Sequence, residues 1–142
     1  MPDNIRRIHI NELKAGDIIY YNDRSQRVIQ YGSPKINDDD GIKLFLSISG
    51  VVALRNSFVN LVESAFDGFE IGDLVCIDQI PNCEKQIYFK SWSSELESIA
   101  DGKVIFEVEN IAHTPYRGTA IRVNGHWLMS YHAKKIKSYD II

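Results

Sequence analysis

The sequence predicts a mainly β protein made of two small barrel units in tandem, 1–65 and 66–142, with short 3₁₀ or helical turns. The first observation is a repeat: Glu12-Leu13-Lys14-Ala15-Gly16-Asp17-Ile18-Ile19-Tyr20 returns 56 positions later as Gly68-Phe69-Glu70-Ile71-Gly72-Asp73-Leu74-Val75-Cys76. The second is that the two tails, 50–61 and 125–136, align without a gap at an offset of 75, which sets Val52 on Trp127, Leu54 on Met129 and Leu61 on Ile136. Third, each copy leads into short runs rich in β-branched and aromatic residues separated by Gly, Asn, Asp and Pro. Matches at both ends of a unit argue for duplication of the whole unit.

In the first unit, Asp17 to Asn22 reads as a strand, Asp23 to Gln26 as a turn and Arg27 to Tyr31 as the next strand. The segment from Gly32 to Gly41, with Pro34, Asn37 and Asp38-Asp39-Asp40, is expected to be an exposed loop. Ile42 to Ser49 and Val51 to Asn56 form a hairpin. A 3₁₀ turn at 56–58 leads to a closing strand, Val59 to Glu63.

The second unit repeats the plan with a longer middle. Leu74 to Gln79, Gln86 to Lys90 and a long Lys103 to Ile111 read as strands; in the last, Val104, Phe106 and Val108 alternate with charged residues. Thr119 to Val123 and His126 to Tyr131 flank Asn124-Gly125, a strong two-residue hairpin signal. A 3₁₀ turn at Ala133 to Lys135 and a last strand at Ile136 to Tyr139 complete it. The change of offset from 56 to 75 calls for about 19 extra residues inside this unit. Their expected seat is a helical insert around 92–102, where Ser94 and Glu97 have capping-box spacing, Leu96, Ile99 and Ala100 share a face, and Asp101-Gly102 stops the helix.

The Gly-Asp strand opening, Trp92 and Leu96 before Gly102-Lys103, the long strand and the closing hairpin with Trp127 together resemble the SH3-like barrels of many small bacteriophage proteins, over roughly 70–139. The plan is more distantly similar to KOW-type and Mind-bomb-type SH3-like barrels, whose marker strings are absent. The first unit lacks the tryptophans and the Gly-Lys pair. The resemblance implies two tandem SH3-like barrels and a viral origin. It implies no activity, because a fold does not fix a function.

Composition is that of an ordinary globular chain, 44% hydrophobic and 25% charged, and no apolar run reaches the ~20 residues that span a bilayer. The N-terminus has no signal-peptide pattern, so a cytoplasmic setting is expected, that of the host if the chain is viral. Cys76 and Cys83 stand alone and read as free thiols, with Cys76 facing inward beside Leu74. No metal or cofactor is expected. His9, His113, His126 and His132 are scattered, although His126 and His132 could share a strand face. Glu107 with Glu109, and Glu95 with Glu97, lack the cleft that acid–base chemistry needs. The chain is therefore read as not an enzyme.

What remains are tools for recognition. The net charge of −3 is uneven: ten acidic residues and three lysines lie between Phe66 and Glu109, while Arg117 to Lys137 holds five basic residues and no acid. The expectation is that these stretches pair as neighbouring strands and cancel. The first expectation for function is a protein-interaction module, a phage-encoded inhibitor or modulator of a host defence or transcription complex, touching its partner through Trp92, Tyr116, Arg117 and the Asp38-Asp39-Asp40 loop. The alternative is a nucleic-acid-binding module using Arg117, Arg122, Tyr131, Lys134, Lys135 and Lys137. Trp127 is expected in the core.

Overall fold

In the structure, a computed structural model that describes residues 4–31, 42–55, 57–66, 68–85, 94–114 and 116–136, the two Gly-Asp pairs make the same turn with the same hydrogen bonds. Gly16 and Gly72 have φ of 97° and 96°, where a side chain is strained, so the turn needs glycine. Gly16 N donates to Val28 O at 2.7 Å and Val28 N to Asp17 O at 2.8 Å; Gly72 N donates to Val108 O at 2.8 Å and Val108 N to Asp73 O at 2.9 Å. The carboxylates close the turns, with Asp17 Oδ2 accepting from Lys14 N at 3.0 Å and Asp73 Oδ2 from Glu70 N at 2.7 Å. Val28 and Val108, both wholly buried, are therefore equivalent positions. The offset grows from 56 at the glycine to 80 at the valine, so 24 residues rather than about 19 are added there.

The chain divides into two compact units, Met1–Ala65 with Pro115–Gly118, and Phe66–Thr114 with Thr119–Ile142. In the first, strands β1 (Arg6–His9), β2 (Ile18–Tyr21), β3 (Arg24–Tyr31), β4 (Ile42–Leu46), β5 (Gly50–Leu54) and β6 (Phe58–Glu63) form one antiparallel sheet in the order β1-β6-β2-β3-β4-β5. β3 pairs with β2 through its first half and with β4 through its second, and its register shifts between Val28 and Gln30. Ile8, Ile10, Leu13, Ile19, Val28, Leu44, Leu46, Val59 and Leu61 make the core. Burying each large side chain there contributes roughly 1.5–3 kcal/mol.

The second unit has two three-stranded sheets among its described residues: β12-β7-β8 and β11-β10-β9, with β7 (Leu74–Ile77), β8 (Ile105–Glu107), β9 (Asn110–Thr114), β10 (Gly118–Val123), β11 (His126–Met129) and β12 (Ala133–Lys135). A single helical turn, α1 (Asn82–Lys85), and a short helix, α2 (Ser94–Ile99), lie in the added segment. Leu96, Ile99 and Ala100 face the core with Val75, Ile77, Val108, Ile121, Val123 and Leu128. Gly102, at φ 74°, ends the helical segment, and its N–H donates to Ile77 O at 2.7 Å. Mainly β architecture with few helices is what the sequence led us to expect; the sheets, however, are open.

Several boundaries move for identifiable reasons. Asn22 and Asp23 both take positive φ, 53° and 61°, so the first hairpin turns there and β3 begins at Arg24. The long strand expected from Lys103 to Ile111 breaks into β8 and β9 because Val108 bonds to the Gly72-Asp73 turn instead of continuing a ladder; Val104 is 46% exposed. The closing 3₁₀ turn is Ser130–His132, three residues early, and β12 occupies the place expected for it. In the first unit the 3₁₀ turn lies at Ile10–Glu12, and β1 precedes it unforeseen. The expected strand at 86–90, the last one from Lys137 onward and the side-chain cap of Ser94 lie outside the described residues.

Two face assignments reverse. Val75 and Ile77 are buried, which puts Cys76 and Leu74 on the other face of β7, half-buried. Trp127 is 43% exposed, and Leu128 takes the inward place at 1%. The turn from β4 to β5 holds three residues between Leu46 and Gly50, whereas β10 to β11 is joined by Asn124-Gly125 alone. A gapless alignment of the tails is thus wrong by one, and one residue is enough to turn a strand over.

Candidate interaction surface

The face of β10 and β11 turned away from the second unit's core carries an aromatic and a cation side by side. Arg122 lies directly opposite Trp127 in the antiparallel ladder, and both are exposed, whereas Met129, opposite Ala120, packs against the core. At an adjacent cross-strand spacing of about 5 Å an indole and a guanidinium cover one patch. Arg122 Nε is 4.0 Å from Glu109 Oε1, and that same oxygen accepts from Gly125 N at 2.9 Å. Glu109 thereby fastens the hairpin turn and restrains the cation next to Trp127.

The other basic residues named from sequence do not gather into one cationic face. Lys135 Nζ sits 3.3 Å from Asp73 Oδ2, the carboxylate that closes the Gly-Asp turn. Lys134 is exposed on β12 opposite Cys76. Arg117 is exposed in the turn before β10, and Tyr131 is half-buried with its ring 4.7 Å from that of His132. Tyr116 is half-buried, and its carbonyl accepts from Tyr31 N at 2.8 Å. Trp92, Asp38, Asp39, Asp40 and Lys137 lie outside the described residues. Opposite charges from the two stretches do meet, Arg122 with Glu109 and Lys135 with Asp73, but both carboxylates lie in turns rather than on paired strands.

One pair escaped the sequence reading. His132 Nε2 lies 2.8 Å from Glu84 Oε1, with side chains 3% and 9% exposed, so an acid in α1 and an imidazole in the closing 3₁₀ turn meet in the interior. α1 is further tied to α2, because Lys85 Nζ reaches Glu97 Oε1 and Oε2 at 3.1 and 3.0 Å. His126 and His132 do not share a strand face, since β11 ends at Met129. Removing one member of a buried pair strands the other, so this contact holds the added segment in place.

Burial, then Asp78 and Asp101, push the Cys76 thiol up, and Lys134 opposes them only in part. A nucleophilic cysteine needs the opposite shift. Burial also raises the Tyr31 phenol; its oxygen donates to Ile10 O at 3.1 Å, a structural role. Among the described residues, no group of three or more His, Cys, Asp or Glu could hold a metal ion, and no helix is long and apolar enough to cross a membrane. No family model, curated protein or solved structure matches the chain.

Proposed function

We propose that the protein is a non-enzymatic protein-interaction module of two tandem SH3-like barrels, whose second unit contacts its partner through Trp127 and Arg122. The observation that carries the reading is the 43% exposure of Trp127 opposite Arg122. Tryptophan and arginine are the side chains most enriched among the residues that dominate binding energy at protein interfaces, and a surface indole beside a restrained guanidinium is such an anchor. The SH3-like part rests on the shared plan: a Gly-Asp turn, a first strand, a second strand kinked at a buried valine, a hairpin and a closing strand beside the first. The resemblance to bacteriophage proteins makes a host defence or transcription complex the partner class to test first.

Nucleic-acid binding by the same hairpin is the less favoured reading. Arg122 and Lys135 already face carboxylates at 4.0 and 3.3 Å, which offsets much of the attraction for phosphates. The test is affinity capture from host lysate with the native chain, Trp127→Ala and Arg122→Glu. A protein retained by the native chain and lost with both variants supports the reading; one retained equally by all three sinks it.

A further inference from the structure

A second aromatic–cation surface lies in the first unit, on the outer face of the sheet where β1, β6 and β2 run side by side. Phe58 is 45% exposed, although it stands in a strand whose alternate residues Val59 and Leu61 are buried. The Arg7 guanidinium lies 4.4 Å above its ring, and the His9 imidazole meets it edge-on at 5.5 Å and 78°. His9 Nδ1 accepts from Asn11 N at 3.1 Å, so its Nε2 carries the proton and remains a donor. Asn60 lies opposite both Arg7 and Tyr20, which puts the Tyr20 ring diagonal to Phe58 at the roughly 7–8 Å of such neighbours.

The chemistry of this face is one-sided. Arg7, His9, Asn60 and Tyr20 all supply N–H or O–H donors; Arg6, opposite buried Leu61, lies on the other face of β1, and exposed Glu63 stands at the far end of β6 opposite Ile18. No ion pair joins Arg6 or Arg7 to another described residue, in contrast to Arg122 and Lys135 in the second unit. A donor-rich plane with two aromatic residues on neighbouring strands and an arginine that pairs with no carboxylate among the described residues matches an extended, unpaired nucleotide strand: phosphate on the cation, bases layered on the rings and the guanidinium plane. A duplex offers the phosphates without the base faces. An acidic protein segment offers the charges without flat rings for Phe58 and Tyr20.

We propose that the outer face of β1, β6 and β2, centred on Phe58 with Arg7, His9 and Tyr20, binds single-stranded nucleic acid. It is distinct from the basic C-terminal hairpin that the sequence singled out and independent of the Trp127 surface. With Arg7 as the phosphate contact, the logarithm of affinity falls with that of salt at a slope of about −0.7, a loss of about 2.6-fold between 50 and 200 mM.

Fluorescence anisotropy of labelled single-stranded 12-mers, with a duplex of the same length and a poly-glutamate peptide as competitors, tests this on the full chain. The expected result is a dissociation constant of about 10–100 µM at low salt. Phe58→Ala should weaken it about tenfold, Arg7→Glu should weaken it at least as much, and Trp127→Ala should leave it unchanged. Phe58→Leu, which keeps apolar volume and loses only the ring, should behave like Phe58→Ala, with an unaltered circular dichroism spectrum showing that folding is intact. Absence of binding by the native chain, equal affinity for duplex, indifference to Phe58→Leu, or displacement by poly-glutamate as effective as by unlabelled single strand would each overturn the proposal.

Discussion

The two Gly-Asp turns are built alike and used differently. In the first unit Asp17 is 1% exposed; its Oδ2 accepts from Lys14 N and its Oδ1 from Ala65 N at 2.8 Å, so one carboxylate clips the start of β2 to the segment that follows β6. In the second, Asp73 is partly exposed and divides itself between Glu70 N and the Lys135 ammonium. Two backbone donors far apart in sequence hold Asp17, with the Lys14 ammonium 3.6 Å away, whereas Asp73 has one local backbone donor and a lysine. The same turn is a deep fastening in one unit and a shallow one in the other, and the second unit has its own fastening elsewhere, in Glu84 with His132.

That contrast can be broken most forcefully at Glu84. Glu84→Ala leaves His132 buried without its carboxylate and should cost about 3 kcal/mol or more in urea unfolding. Glu84→Gln retains an oxygen at the same place and should cost clearly less. Next comes Asp17→Ala, which orphans two backbone N–H groups and should destabilise by about 3 kcal/mol, against about 1 kcal/mol for Asp73→Ala. Equal losses at the two aspartates would show that burial of the first carries no extra weight.

Smaller effects sharpen the comparison within the second unit. The raised Cys76 thiol forms its thiolate only above the usual pH range, so iodoacetamide followed by mass spectrometry should label exposed Cys83 well before half-buried Cys76 at pH 8. Because the folded chain holds that proton more tightly, stability should decline as pH rises through the same alkaline range. The smallest effect is at Arg122 and Glu109, both about half exposed, where a double-mutant cycle should give a coupling of about 0.5 kcal/mol or less. A larger value would make Glu109 more than a restraint on the cation beside Trp127.

What could be read from sequence was local. Gly16-Asp17, Gly72-Asp73, Asn124-Gly125 and the 94–102 segment announce their turns and helix because glycine, asparagine and short helical periodicity act within a few residues. The strand sides were less accessible. Trp127 and Cys76 turned over because alternation fixes which residues share a face but not which face is inward, and the difference between a three-residue and a two-residue turn settles that only in three dimensions. Glu84 and His132 are separated by 48 positions and carry no motif, so their meeting belongs to the tertiary structure alone. Phe58, Arg7 and His9 were equally silent: one aromatic and two ordinary polar residues become a surface only when β1 lies against β6.

Buried Gln26 has a consequence in time as well as in space. Its Nε2 donates to Tyr21 O at 3.1 Å and Ser49 Oγ at 2.9 Å, and its Oε1 accepts from Ile48 N at 3.2 Å and Ser49 N at 2.8 Å, so one amide joins the end of β2 to the turn after β4. Both hairpins must exist before that bridge can close, so it should form late in folding. Substituting Gln26 should therefore hasten unfolding while leaving the refolding rate nearly unchanged, making this side chain a determinant of how long the first unit stays folded.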